Sequence, residues 1–281
     1  MKYLISHRFL RTLVLLVPLS ALGVHRGQDG TGSHSTVSQT RLLIVSLNMH
    51  GELSSERVLR EFERHERLRH AEILLLQEVE GDPGKCRKLV DAMARSLGLP
   101  FIHLPDQSSG SGDGLAVLSR FPVQDTAVIP LKHFDLVIRS RHRIALAQTV
   151  ETPVGDIRLF NLHLDSRVNP EQRLEQLSTV LAAADRETRP VIIGGDFNTG
   201  DYHWVSHVLP IPEKRSQRGP LLQRMAESGF QTPFESTGPT HDWLGLQLDW
   251  LFLRKLLSHA AGTQEIDFSD HHAIWAEIGL P

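Results

Sequence analysis

Cysteine is all but missing: Cys86 is the one thiol in 281 residues. No intrachain disulfide is possible, and a cysteine-built structural zinc site is excluded with it. Cys86 sits in an expected helix with no motif around it and reads as a packing residue. Aromatic residues are also scarce, at 6%, and none interleaves the basic cluster Arg139, Arg141 and Arg143, so a stacking platform for single strands is not indicated. Positive charge shows no excess, with 30 Lys+Arg against 33 Asp+Glu and a formal net charge of -3. A protein living on nonspecific duplex contact would more often be basic, whereas one that touches a few phosphates need not be. No apolar run reaches the roughly 20 residues of a membrane span.

The longest such run, Thr12–Val24, follows the positive head of Lys2, His7, Arg8 and Arg11 and includes Ala21-Leu22-Gly23, which offers small residues at an A-x-A-like spacing. This is the layout of a secretory signal peptide over residues 1–24, which implies a secreted or periplasmic location. Residues 25–40 are rich in Gly, Ser and Thr and read as a disordered leader. Residues 41–281 remain for one α/β domain with a sizeable core.

Within that domain, strands alternate with helices. Arg41–Asn48 and Ala71–Val79 are apolar and β-branched, as buried strands are. Ser54 or Ser55 caps a helix running to about Arg69, with Val58, Leu59 and Phe62 on one face. Asp82-Pro83 opens a helix ending near Gly98, and Asn169-Pro170-Glu171-Gln172 opens another with a capping-box pattern. Short strands are expected over 114–118, 126–131, 144–152, 156–164, 190–195, 246–253 and 273–278, with a helix over 220–227. Two sheets with helices on their outer faces account for this count.

Polar and acidic residues stand where several of these buried strands end. Asn48 follows LLIVSL, and Gln77 and Glu78 follow ILLL. Asn161, His163 and Asp165 alternate along FNLHLD and so share one strand face. Asp196 and Asn198 end VIIGG, Asp249 interrupts LQLDWLFL, and Asp270 and His271 precede the last strand. Burying so many carboxylates uncompensated would cost several kcal/mol each. A divalent cation is the simplest compensation, and oxygen donors favour Mg²⁺, with Mn²⁺ or Ca²⁺ also admissible. Asp165 serves equally well as a ligand or as a salt-bridge partner, and His50, His241 and Tyr202 either shape a pocket or belong to plain loops.

Seven segments, SLNMHG, LLLQEV, GLAVLSR, NLHLD, GGDFNT, LDWLFLR and SDHHAI, occur in the order of the motif series of the endonuclease/exonuclease/phosphatase (deoxyribonuclease I-like) family, which the chain resembles from about Arg41 to Ile278. The resemblance implies a four-layer αββα sandwich and a metal-dependent phosphoester hydrolase. It implies Asn48, Glu78 and Asp270 as metal-site residues, Asp196 and Asn198 as the pair positioning nucleophile and phosphate, and His163 as a phosphate-contacting histidine on the leaving-group side. It further implies His271 as catalytic histidine with Asp249 orienting it, and Arg143 as a phosphate contact. Two residues depart from the abasic-site branch of the family, which is similar in carrying tyrosine at the place of His163 and an acid at that of His50. The substrate implied is DNA, RNA or a lipid head group, acted on by a monomer with no obligate protein partner. A silent binding module on the same fold would lack a core residue, and none is missing. A calcineurin-type dinuclear phosphoesterase would need an early D-x-H with a later GNH, a combination the chain does not contain.

Overall fold

The computed structural model describes residues 40–105, 114–136, 141–200, 202–212 and 218–281. Residues 1–24, nearly all of 25–40, and Arg139 therefore lie outside the described residues. The first half of the domain runs β1 (Leu42–Asn48), α1 (Ser55–Arg64), α2 (Glu66–Arg69), β2 (Ile73–Gln77), α3 (Pro83–Leu97), β3 (Phe101–His103), β4 (Ala116–Ser119), β5 (Val123–Pro130) and β6 (Ile144–Thr152). The second half runs β7 (Gly155–His163), α4 (Pro170–Ala184), β8 (Val191–Asp196), β9 (Tyr202–Val205), β10 (Leu209–Pro212), α5 (Arg218–Glu227), β11 (Asp249–Arg254), β12 (Leu257–Gln264) and β13 (Ala273–Gly279).

Two sheets are built from these strands, in the orders β12-β13-β1-β2-β4-β3 and β11-β8-β7-β6-β5. The period-2 alternation of strand side chains decides what each face covers. Along β1, Leu42 and Ile44 enter the core between the sheets, while Val45 and Leu47 enter a second core. In β2, Ile73 and Leu75 face the other sheet, and Leu74 and Leu76 face α1 and α3, whose Val58, Phe62, Leu89 and Met93 complete the outer core. On the far side, Leu177, Val180 and Leu181 of α4 and Leu221 and Met225 of α5 cover the five-stranded sheet. The layers are therefore α, β, β, α, as the motif series implied.

Local chemistry sets the helix ends. The Asp82 side chain accepts from the Lys85 amide with Pro83 in the first turn, and α3 stops at Gly98, whose φ of +66° suits a residue without Cβ. Gln172 accepts from the Asn169 amide at 3.0 Å, one half of the expected capping box. The single helix expected to Arg69 is broken: His65 is extended at φ -111°, ψ 114°, and its ring reaches back to Glu61 at 2.9 Å. Strand β2 is shorter than expected because Glu78 turns into the left-handed region, at φ +54°. Three strand regions carried no clear pattern, namely β3, the separate pair β9–β10, and β12, whose LSHAAGTQ is a half-buried edge. Among the described residues no helix is long and apolar enough to cross a membrane.

Polar side chains fasten the sheets to each other. Gln77 donates to Asn161 Oδ1 at 2.8 Å and to Ser46 Oγ at 3.2 Å, and Asn161 donates to the carbonyls of Leu76 and Ala116. Neighbouring Gly194 lets the sheets approach, since a Cβ there would meet Leu251 Cδ2 at 2.4 Å and Leu75 Cδ1 at 2.7 Å. Gly195 is more constrained, with φ +132° and a notional Cβ only 2.0 Å from the Leu162 carbonyl oxygen. Gly194→Ala is expected to destabilise the domain by about 1–3 kcal/mol, the usual cost of overpacking. Gly195→Ala should cost more, because the clash is with backbone; urea unfolding midpoints check both, and equal midpoints would contradict the packing described.

Candidate active site

The strand ends that drew notice in the sequence meet in one place. Strands β1 and β2 pair in parallel with Asn48 opposite Gln77, and β7 and β8 pair in parallel with His163 opposite Asp196. β11 runs antiparallel to β8 and sets Asp249 opposite Asp196. The strand ends of the two packed sheets come together here, where Asn48 Nδ2 donates across the gap to Asp196 Oδ2 at 3.1 Å and within its own sheet to Glu78 Oε1 at 3.2 Å. Ser269 Oγ donates to the Asn48 carbonyl and accepts from the His271 amide, which pins the segment before β13 over the end of β1. His50, Glu78 and Asn198 all hold positive φ, near +50°. Such left-handed backbone in residues other than glycine is costly and concentrates at functional sites.

An open cleft of about 370 Å³ lies over this junction. Glu78, His163, Asp196, Asn198, Asp270, His271 and Arg143 line it, together with His50, His241 and Arg141. Asn48 and Asp249 lie beneath, both fully buried. All nine expected site residues thus gather around one feature. Asp165 resolves to the structural side: it takes Arg143 Nε at 3.0 Å and Gln176 Nε2 at 2.8 Å within a buried network, and so holds the Arg143 side chain in place. Arg141 forms an ion pair with Glu80. Trp250 is fully buried and donates to Thr199, whereas Trp243 is 91% exposed.

Charge is distributed unevenly among these groups. His271 donates its Nδ1 proton to Asp249 Oδ2 at 2.8 Å, and the same oxygen accepts from Thr240 Oγ1 at 2.7 Å. His271 Nε2 lies 3.9 Å from Asp196 Oδ2. Burial acts against charge on His271, yet Asp249, Asp196 and Asp270 outweigh it and raise the group to about 10. Burial drives Asp196 above the usual carboxylate range; His271 opposes that rise and Asp249 adds to it. His163 behaves oppositely. Burial, helped by Arg143, His271 and Arg141, holds it well below the ordinary histidine range, so the ring is neutral, with Nε2 3.4 Å from Asp196 Oδ2. Burial alone would raise Asp270, but the hydrogen bond from His241 and the charges of His271 and His50 bring it down to about 2.

The donor set suits a hard divalent cation. Glu78 and Asp270 offer carboxylate oxygens, and the amide oxygen of Asn48 has two lone pairs, only one of which takes the His50 amide. Asp270 Oδ1 is shielded from solvent and has no aligned hydrogen-bond donor, although His50 Nδ1 lies 3.0 Å away. His241, which sequence reasoning left undecided, belongs to the site: its Nε2 is 3.3 Å from Asp270 Oδ2 and its ring meets His271 edge to face at 4.8 Å. Its place depends on a bridge between His241 and His271 that local sequence does not encode.

A four-layer αββα sandwich with its polar cluster where the two sheets meet is the deoxyribonuclease I-like architecture. The chain belongs to the endonuclease/exonuclease/phosphatase family, whose model matches residues 45–271. Its structure is similar to that of the endonuclease/exonuclease/phosphatase from Beutenbergia cavernae, with TM-score 0.66 and 20% identity over 85% of this chain and 72% of that one. It is also similar to sphingomyelinase C from Streptomyces griseocarneus, with TM-score 0.60 and 14% identity over 85% of this chain and 99% of the other. In sequence, a UPF0294 protein of Vibrio vulnificus is 26% identical over 135 residues, which is 47% of this chain. The matched stretch spans 43% of that relative's length, less than half.

The histidine–aspartate pair has a consequence for stability. A group whose folded pKa is raised stabilises the fold fully below its unfolded value, about 6.5 for histidine, and loses that contribution as pH climbs through the folded value. In metal-free protein the unfolding midpoint should therefore fall between about pH 6.5 and 10 more steeply for the wild type than for His271→Gln. Parallel curves would show that Asp249 does not hold the charge on His271.

Proposed function

We propose that the chain is a divalent-cation-dependent phosphoester hydrolase. The observation that carries this reading is the buried His271–Asp249 pair beside Asp196, opposite an uncharged His163, in a cleft where oxygen donors from both sheets converge. Glu78, Asp270 and Asn48 would hold the cation. When bound, it would supply positive charge to the phosphoryl oxygens and to the attacking water, and would offset the carboxylates that otherwise keep His271 protonated.

The remaining steps fall to side chains. Asp249 fixes the His271 tautomer with the proton on Nδ1, so Nε2 is the atom that accepts a proton from water. Asp196 Oδ1 accepts from the Asn198 amide at 2.8 Å, and its Oδ2 faces both histidines, which suits it to orient that water. Asn198 donates its side-chain amide to the Leu164 carbonyl at 2.9 Å, which fixes its position beside the cleft. His163, neutral, can donate a hydrogen bond toward the leaving-group side without adding charge. Arg143, steadied by Asp165, presents a guanidinium at the wall for a phosphate. A monomer cleaving nucleic acid or a lipid-linked phosphate is the substrate reading we adopt, with Mg²⁺ the first choice of cation. Export through a signal peptide at residues 1–24, followed by a leader over 25–40, belongs to the same proposal, and N-terminal sequencing of secreted material checks it.

Turnover of bis-p-nitrophenyl phosphate, plasmid DNA or sphingomyelin vesicles that requires Mg²⁺ or Mn²⁺ and is abolished by EDTA is the expected result. Glu78→Gln should abolish it with the thermal midpoint preserved. His271→Ala should lower the rate by at least about 10²-fold, the scale of a lost general base. A loss of only a few-fold would place the base elsewhere, and turnover indifferent to EDTA would refute the cation requirement.

A further inference from the structure

Beside the oxygen donors of the cleft stands a second set with a different character. One ligand atom from each of His241, Asp270 and His271 can be chosen so that all lie within 4.8 Å of one another. Both histidines are almost wholly buried, and Asp270 is the more exposed member, so the set opens toward the cleft. Two imidazoles and one carboxylate form the donor set of borderline ions such as Zn²⁺, whereas Mg²⁺ and Ca²⁺ favour oxygen. His271 is also supported as a zinc-bound histidine would be. Its Nδ1 donates a hydrogen bond to Asp249, a carboxylate outside the set, which leaves Nε2 as the atom that turns to the cleft and can exchange its proton for a metal ion.

We infer that His241, Asp270 and His271 form a binding site for a Zn²⁺-class ion, and that its occupation shuts down the catalytic arrangement proposed above. The inhibitory half of this inference rests on the hydrolase reading; the binding half does not. Zn²⁺ at this position displaces the Nε2 proton of His271 to solvent and takes the freed lone pair, which then accepts no proton from water. It also claims Asp270, which the hard cation needs, so the two occupancies compete through one carboxylate. The ligands need to close only modestly, since donor atoms around a tetrahedral ion with bonds near 2.1 Å are roughly 3.4 Å apart. One contact opposes binding. His241 Nδ1 accepts from the Leu244 amide at 3.3 Å, and ligation through Nε2 moves the ring proton to Nδ1 and turns that amide away. The loss is a single long hydrogen bond at an exposed turn, on the order of 1 kcal/mol or less.

Cobalt(II) provides the readout on the full chain. Metal-free protein titrated with Co²⁺ should develop visible ligand-field bands of four- or five-coordinate intensity that stoichiometric Zn²⁺ abolishes and that Mg²⁺ lowers only at concentrations far above that of Co²⁺. His241→Ala should weaken Co²⁺ binding at least about tenfold, the minimum expected for a lost ligand, while Glu78→Gln leaves it intact. Bands unaffected by His241→Ala, or lost equally in Glu78→Gln, would overturn the site. A second measurement needs no variant. Of the 16 histidines in the chain, the ring-proton NMR signals of His241 and His271 should be those shifted most by one equivalent of Zn²⁺, and shifts confined to other histidines would refute the assignment. In Mg²⁺-supported assays Zn²⁺ should inhibit the wild type. Specific Zn²⁺ binding without any hydrolysis to inhibit would leave this site standing and remove the hydrolase reading instead.

Discussion

The hydrogen bonds of two side-chain amides across the gap between the sheets are the constraint on which this molecule turns. Gln77 meets Asn161 within the interface, and one step nearer the surface Asn48 meets Asp196. Apolar packing alone would allow two sheets to slide against each other at little cost, because dispersion contacts are individually weak and not directional. A buried amide with a partner on the opposite sheet removes that freedom, since any slip strands a polar group in a medium that penalises it. Everything in the cleft inherits this register. Glu78 and Asn48 come from one sheet, His163, Asp196 and Asp249 from the other, and their mutual distances are those between the sheets.

The site was built from charge in excess of what the protein itself can balance. Asp196 is buried beside Asp249 and Glu78, and Asp270 is surrounded by histidines. The chain answers locally, with His271 drawn toward its charged form and His163 kept neutral by burial, with help from the arginines on its flank. Two histidines of identical intrinsic chemistry thus occupy opposite protonation states about one carboxylate. In the hydrolase proposed above, this separation would let one act as a proton acceptor once the carboxylates are offset and the other as a neutral donor.

Much of this was legible in the sequence, for a definable reason. A buried strand ending in Asn, Glu, Asp or His is anomalous on energetic grounds, and the anomaly marked Asn48, Glu78, His163, Asp196, Asp249 and His271 without any coordinates. The helix caps at Asp82 and Asn169 were readable because capping is local chemistry between neighbours. What escaped was non-local. His241 lies in a turn with no periodicity, and only the bridge to His271 brings it to Asp270. Strand β12 has small and polar residues where alternation was sought, because as an edge strand it buries little. The break at His65 depends on a ring contact with Glu61 that competes with helix continuation, a contest that propensities do not decide.

The narrowness of Gly194 bears on more than stability. Leu75 and Leu251 meet the bare backbone at that point, deep between the sheets and away from the cleft. One missing methyl group there acts as a spacer gauge: the thickness of the interface below fixes the width of the cleft above. Residues that never reach the cleft can in this way set how far apart its walls of polar side chains stand, and relatives could change that spacing through the interior while leaving every polar residue unchanged.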